Sequence, residues 1–336
     1  MEAMALVLEE IPSLYLIKNN KQMKILITGV HGFVGSNLVN SLVGEHVIYG
    51  LDIISPQKDG VRYTFSWDDL DKEGMIPSVD AIIHLAGKAH DTKNQAAADV
   101  YFKVNTELTK RIYDYFLMST AKKFVFFSTA KAAADKVEGV LTEDVVPAPV
   151  GPYGESKIAA EKYILSKEKE TISKNKDFYI FRPCMIHGPG NKGNLNLLYG
   201  VVKKGIPWPL GAFENRRTFT SIENICFAVN GVLTKDVPSG IYNMGDDEAL
   251  STNELIEEIC KSLGKKARIW RLPKGLMNCT AKVGGWLHLP LDPERLRKLT
   301  ENYISSNEKI KKALGVDKMP VDARTGLQRT LESFKE

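Results

Sequence analysis

Tyr153 and Lys157 are four residues apart in "YGESK", and on a helix that spacing puts both side chains on one face. A free tyrosine has a pKa near about 10, too high for a base at neutral pH. An ammonium one turn away favours the phenolate and lowers that pKa, so the pair could move a proton to or from a substrate hydroxyl. A second group of residues supplies a different chemistry. "ITGVHGFVG" carries Gly29, Gly32 and Gly35 directly after the apolar run Ile25-Leu26-Ile27. Gly29 suits a tight turn off a strand. Gly32 lets the backbone approach a pyrophosphate at a helix N-terminus, where free N–H groups and the helix dipole favour anions. Gly35 lets that helix pack closely. Asp52, about 20 residues further on, is placed to accept hydrogen bonds from an adenosine ribose, and its charge disfavours a 2′-phosphate. The pattern predicts a dinucleotide site for NAD rather than NADP.

These residues need a scaffold, and the chain alternates short apolar runs with helical patterns. Strands are predicted at 24–29, 46–52, 79–87, 123–129 and 178–183. Helices are expected at 33–43, 100–119 and 155–167. Buried strands flanked by helices of this length make βαβ units and a parallel sheet. After about residue 188 the rhythm changes to Pro- and Gly-containing loops with helices at 194–204, 221–233 and 251–264. Ser251-Thr252-Asn253-Glu254 forms a capping box for the last of these. The predicted fold is α/β, a doubly wound sheet with a smaller mixed lobe. Residues 23–188, with returning segments at 221–245, form the nucleotide domain, and 189–336 supply mainly the substrate lobe. Residues 1–22 read as an extension outside the fold.

With 336 residues, 43% of them hydrophobic, the chain can bury a large core. The formal net charge is +4, and the lysines are spread along the chain, so no nucleic-acid patch is expected. Cys184, Cys226, Cys260 and Cys279 show no CxxC spacing. Neither a zinc site nor a disulfide framework is predicted, and a reducing cytoplasm is expected. No stretch approaches the roughly 18 uninterrupted apolar residues of a membrane span.

The glycine spacing, with Thr28 and Phe33, reads T-G-x-x-G-F-x-G. In that spacing the chain resembles the extended short-chain dehydrogenase/reductase superfamily, of the sugar-nucleotide epimerase/dehydratase type. Further motifs carry the likeness in order: Asp80, His84, Leu85, Ala86 and Gly87; Asn105 with Thr109; Thr129 after the fourth strand; Tyr153 and Lys157; Arg182-Pro183; and the Gly188-Pro189-Gly190 loop. The resemblance implies catalytic roles for Thr129, Tyr153 and Lys157, with Ser128 as the alternative hydroxyl. It implies that Gly29, Gly32, Phe33, Val34, Gly35, Asp52, Ile53, Leu85, Ala86, Gly87, Asn105, Tyr153 and Lys157 hold NAD. For the substrate it implies a UDP-sugar. Cys184 would line the sugar pocket. Asn194 (or Asn196) and the Leu195 amide would meet the diphosphate, with Arg217 (or Arg216) gripping it. Trp208 and Leu210 would lie at the uracil. A homodimer through helices near 100–119 and 155–168 is also implied.

Departures from the family pattern narrow the reaction. Ala130-Lys131 follow Thr129 where 4,6-dehydratases carry an Asp-Glu pair, which argues against that elimination. Lys88 stands one residue after Gly87, and Ala89 takes the place where galactose epimerases have a lysine. His84 is expected to stabilise the strand end, and His187 replaces a tyrosine. The leading expectation is a UDP-hexose 4-epimerase working through a 4-keto intermediate. A UDP-4-keto-6-deoxyhexose reductase is the nearest alternative, and a non-catalytic NAD-binding protein is the third.

Overall fold

The computed structural model describes residues 22–54, 56–89, 97–191, 193–286 and 291–335. The expected extension at 1–22 lies outside them except for Gln22. The strands are β1 (Lys24–Thr28), β2 (Val47–Leu51), β3 (Val61–Phe65), β4 (Ala81–His84), β5 (Lys123–Phe127), β6 (Val140–Leu141), β7 (Asp177–Pro183), β8 (Met185–His187), β9 (Phe219–Ser221), β10 (Gly240–Met244) and β11 (Ile304–Ser305). Seven of them form one sheet in the order β3-β2-β1-β4-β5-β7-β10, with every neighbouring pair parallel.

The helices are α1 (Phe33–Leu42), α2 (Ala98–Tyr101), α3 (Leu108–Met118), α4 (Ala130–Ala133), α5 (Pro152–Ser166), α6 (Glu168–Ser173), α7 (Asn194–Lys203) and α8 (Ile222–Thr234). They continue with α9 (Thr252–Ser262), α10 (Lys274–Trp286), α11 (Pro293–Thr300), α12 (Glu308–Leu314) and α13 (Ala323–Ser333). Side-chain alternation along β1 assigns the two faces of the sheet. Ile25 and Ile27 pack with Leu38 and Val39 of α1 and Ile225 and Val229 of α8. Leu26 packs on the other face with Ile112 and Phe116 of α3 and Ala160 and Ile164 of α5. Both faces are covered, so the central strands are mostly apolar runs, with polar residues at their ends and Arg182 near the end of β7. Truncating a fully buried Leu26 to Ala should cost about 2–5 kcal/mol.

A third core holds Leu195, Trp208, Leu255, Ile259 and Leu327 and builds the second lobe. The boundary is not a simple cut at 189. Helix α12 places Ile310 and Leu314 in the first layer, against the main sheet.

The chain leaves β1 toward β2 on one side and reaches β4 on the other. That reversal opens a crevice at the strand carboxyl ends, where a doubly wound sheet binds nucleotides. Between α2 and α3 the helix does not break but widens into a π-helical turn at Phe102–Glu107.

Candidate active site

The glycine turn and the end of β4 meet in this crevice. Gly29 has φ +70, and a Cβ there would lie 2.9 Å from Ala86 N, so both backbone shape and space require glycine. A Cβ on Gly35 would lie 2.4 Å from Gly29 O, which is how α1 starts so close to the turn. Gly32 caps α1 without a side-chain bond, and no acid occupies the first turn, so the N–H groups face the crevice uncompensated. Asp52 follows β2. Its carboxylate accepts the His31 amide at 3.2 Å and the Ile53 amide at 2.8 Å. The acid therefore sits over the glycine turn with lone pairs to spare. The Ile53 side chain is exposed, Phe33 lies against the Gly188 and Gly190 backbone, and Val34 packs beside the first core. This cradle fits the pyrophosphate and ribose of NAD.

His84 organises the floor beneath. Thr28 Oγ1 accepts the amides of Leu85 (3.2 Å) and Ala86 (3.1 Å) and sits 2.7 Å from His84 Nδ1. His84 Nε2 is 2.9 Å from Thr109 Oγ1, which itself donates to Asn105 O at 2.7 Å. Those directions leave the imidazole proton on Nε2. Burial holds the His84 pKa well below 6.5, with the Lys157 charge acting the same way. A neutral ring thus links the strand end to the π-turn. Asn105 completes the link: its amide accepts from Lys88 N (2.8 Å) and donates to Lys88 O (3.0 Å) and Ser156 Oγ (2.9 Å).

Thr129, Tyr153 and Lys157 come together above this floor. Helix α5 begins at Pro152, earlier than the expected 155, and puts Tyr153 in its first turn. Thr129 caps α4 by accepting the Lys131 amide at 3.3 Å, and its hydroxyl lies close enough to the Tyr153 phenol to favour the phenolate. Lys157 Nζ donates to Phe127 O at 2.8 Å and lies against Gly87 and over the Phe126 ring. Burial lowers the Lys157 pKa to about 8, opposed by the charge of Glu161. The expectation of a lowered Tyr153 pKa is reversed by the surroundings. Burial pushes the phenol up, opposed by the nearby Thr129 hydroxyl. The lysine does not overcome that rise, because its ammonium is aimed at the Phe127 carbonyl.

Ser128, the alternative hydroxyl, points elsewhere. It bonds buried Glu161, which also takes Arg182 Nε at 3.0 and 3.1 Å and Nη2 at 2.5 Å. Sequence reasoning missed Glu161. The usable signals were its position four residues after Lys157 and the need of Arg182, inside an apolar strand, for a counter-charge.

On the substrate side burial pushes the Cys184 thiol up to about 12, opposed in part by the neighbouring Ser305 side chain and the charges of Arg217 and Lys131, so it lines the pocket as a neutral group. Lys131 is held by Asp135 (Oδ1 at 3.0 Å) and lies over the Tyr303 ring. Asn194 is exposed at the uncapped start of α7. The side chains of Leu195, Trp208 and Leu210 are packed in the third core, so Leu195 can offer a ligand its backbone and Trp208 its unpartnered Nε1–H. His187 reaches inward, with Nδ1 2.9 Å from Thr330 Oγ1 and Nε2 3.4 Å from Asp246 Oδ2. It anchors the Gly188 loop to α13.

The sequence profile of the NAD dependent epimerase/dehydratase family matches residues 25–245, the span that builds the sheet and the site. The chain belongs to that family. It is 32% identical over 275 residues to a UDP-glucose 4-epimerase of Vibrio cholerae, covering 74% of this chain and 78% of that one. An N-acetyl-alpha-D-glucosaminyl-diphospho-ditrans,octacis-undecaprenol 4-epimerase of Escherichia coli O157:H7 is 25% identical over 327 residues, 92% of this chain and 94% of its own. Among solved structures, a UDP-N-acetylglucosamine 4-epimerase from Bacillus cereus superposes with a TM-score of 0.73 at 20% identity, covering 94% of this chain and 100% of that one. The cofactor of this family member is NAD, and the chain is a nucleotide-sugar epimerase or a related oxidoreductase. No helix among the described residues is long and apolar enough to cross a membrane.

Proposed function

We propose that the protein is a UDP-hexose 4-epimerase. The observation that carries this reading is the Thr129 hydroxyl beside the Tyr153 phenol, with Lys157 one turn further along α5 and Ala130 and Lys131 following Thr129 in place of an acid pair. A hydroxyl, a phenol and an ammonium suffice to take the proton from a sugar 4-hydroxyl and give it back. Bound NAD would supply reversible hydride acceptance at C4 and a positive ring that favours the phenolate. Tyr153 is the proton acceptor. Thr129 stabilises the phenolate by donating to it. Lys157, held by the Phe127 carbonyl beside Gly87, keeps a positive charge on the floor of the site. Buried Ala130 and Asp135-bound Lys131 offer no second acid and base for eliminating water. Arg217 and the α7 N-terminus would hold the diphosphate, and Asn194, Leu195 and Trp208 the nucleotide. Two copies would pair through α3 and α5.

The test is to denature the purified protein, identify the released nucleotide by mass, and incubate fresh enzyme with UDP-sugars in D₂O. The expected result is released NAD and a C4 epimer with no deuterium at C4, because the hydrogen removed is the one returned. Deuterium at C4 would exclude this mechanism. Stoichiometric consumption of a reduced nicotinamide would instead establish the 4-keto reductase.

A further inference from the structure

Helix α10 has two apolar faces. Met277, Ala281 and Gly284 are buried against the lobe. Leu276, Cys279, Val283 and Trp286 follow the spacing i, i+3, i+7, i+10 on the opposite side. Leu276 and Val283 are each 54% exposed, Trp286 is 81% exposed, and Cys279 is exposed as well. The stretch leading into the helix adds Trp270, 55% exposed, and its backbone pairs with Trp208 two residues beyond exposed Ile206.

The charge along this stretch of sequence has one sign, and the acids that adjoin it in space, Asp292 and Glu294 at the start of α11, are paired with Arg295 and Lys298. Residues 264–286 contain Lys265, Lys266, Arg268, Arg271, Lys274 and Lys282 and no acid. That is +6 in a chain whose total is +4, so the remainder is slightly negative. Lys265 Nζ donates to Lys203 O at 2.6 Å, which adds exposed Lys203 and Lys204 to the basic group around Lys265 and Lys266. Basic residues beside apolar ones, with tryptophans at the margin, match an interfacial helix: rings and aliphatic stems enter the headgroup layer while the cations meet lipid phosphates. Thirteen residues span only about 20 Å, too short to cross a bilayer, so such a helix lies on the surface. A second copy fits less well, since joining two such faces would set like charges together.

We infer that the basic apolar face of α10 docks the protein on an anionic lipid surface. Docking is independent of the reaction assigned to the site, and it leaves turnover of a soluble UDP-sugar unchanged.

The experiment is co-sedimentation of the full chain with phosphatidylcholine vesicles, with or without about one third phosphatidylglycerol. Wild type should pellet with the anionic vesicles at low salt and stay in solution with the neutral ones or at high salt. The triple variant Leu276→Ser, Val283→Ser, Trp286→Ser should lose binding. The pair Lys274→Glu, Lys282→Glu should weaken it at least about 20-fold, given the attraction each lysine feels near such a surface. All five sites are exposed, so soluble turnover should match wild type. Because Lys274 also lies over the Phe213 ring, the melting temperature and lipid binding of Lys282→Glu alone are read beside the pair. Wild type left in solution with anionic vesicles, equal binding to neutral ones, or unchanged binding by both variants would each overturn the inference. So would sedimentation equilibrium showing a dimer that only the triple variant dissociates, without lipid binding, because the face would then be covered by a second copy.

Discussion

Arg216 and Arg217, adjacent in sequence, serve opposite sides of the chain. Arg216 pairs outward with Glu254 at 2.9 Å, whereas the half-buried Arg217 donates from Nη1 to the Lys298 carbonyl and feels the charges of Glu301, Cys184 and Tyr303. The extended backbone here bridges to Leu250 and Tyr303 and so alternates the two guanidinium groups. Arg217→Ala should raise KM for a UDP-sugar about tenfold or more with little change in kcat, because diphosphate contacts remote from C4 act alike in ground and transition states. Arg216→Ala should leave KM within about twofold, since an exposed ion pair contributes little. Steady-state kinetics on both variants distinguishes the assignments; the reverse pattern would move the diphosphate to Arg216.

Tyr153→Phe should lower kcat by about 10²–10⁴-fold while preserving folding and NAD binding, since only the proton-carrying hydroxyl is removed. Thr129→Val should have a smaller effect in the same direction, by withdrawing the hydrogen bond that favours the phenolate. A Tyr153→Phe enzyme that keeps half its activity would exclude the residue as the base.

The placing of Tyr153 and Lys157 on one helix beside the glycine turn was legible in the sequence, because Tyr-x-x-x-Lys and the glycine spacing are local patterns whose geometry follows from helix and turn. What surrounds them was not. The aim of Ser128 toward Glu161 depends on α5 packing against β5 and β7, and the π-turn at Asn105 depends on contacts made from β4 and α5. Arg217 could be placed only by its distance from Phe219, and its direction needed the bridges to Leu250 and Tyr303. Helices α11 and α12 went unread because "PERLRKLT" and "EKIKKAL" carry too few apolar residues to show a period.

Stability should fall as pH drops below about 6.5, partly through His84. Its folded pKa is depressed while the unfolded chain binds a proton near the ordinary value. Between those two values the unfolded state holds more protons, so stability rises with pH by up to about 1.4 kcal/mol per unit. Buried His46 acts in the same sense. Denaturation midpoints of His84→Gln, followed from pH 7 down to about 5, should show a shallower slope than wild type. An identical slope would mean that His84 is charged in the fold.

Glu161→Ala should destabilise by about 3–5 kcal/mol, because it leaves the Arg182 guanidinium buried without a partner. The double variant Glu161→Leu, Arg182→Met should recover much of that loss. Chemical denaturation reads both. Full loss in the double variant would show that shape, and not charge, is what the pair supplies.

Asp52→Ala should narrow the preference for NAD over NADP by about tenfold or more, about 1.4 kcal/mol, since the carboxylate repels a 2′-phosphate. Titrating both nucleotides against wild type and variant measures it. Tighter binding of NADP by the wild type would reverse the assignment.

The bond from His187 to Thr330 spans 143 residues of sequence. During synthesis the sheet strands up to β10 have left the ribosome long before Thr330 is translated. Until then the loop that follows His187 lacks its tie to α13, and the apolar inner side of the second lobe is open to water without Leu327 and Leu331. The crevice therefore takes its final shape only at the last step of folding, when the nucleotide half is already paired. Contacts closed across so long a loop form slowly. A nascent chain of this protein stalled before residue 323 should hold a formed sheet and an unfinished substrate pocket, the state in which it is most exposed to proteolysis and to chaperones.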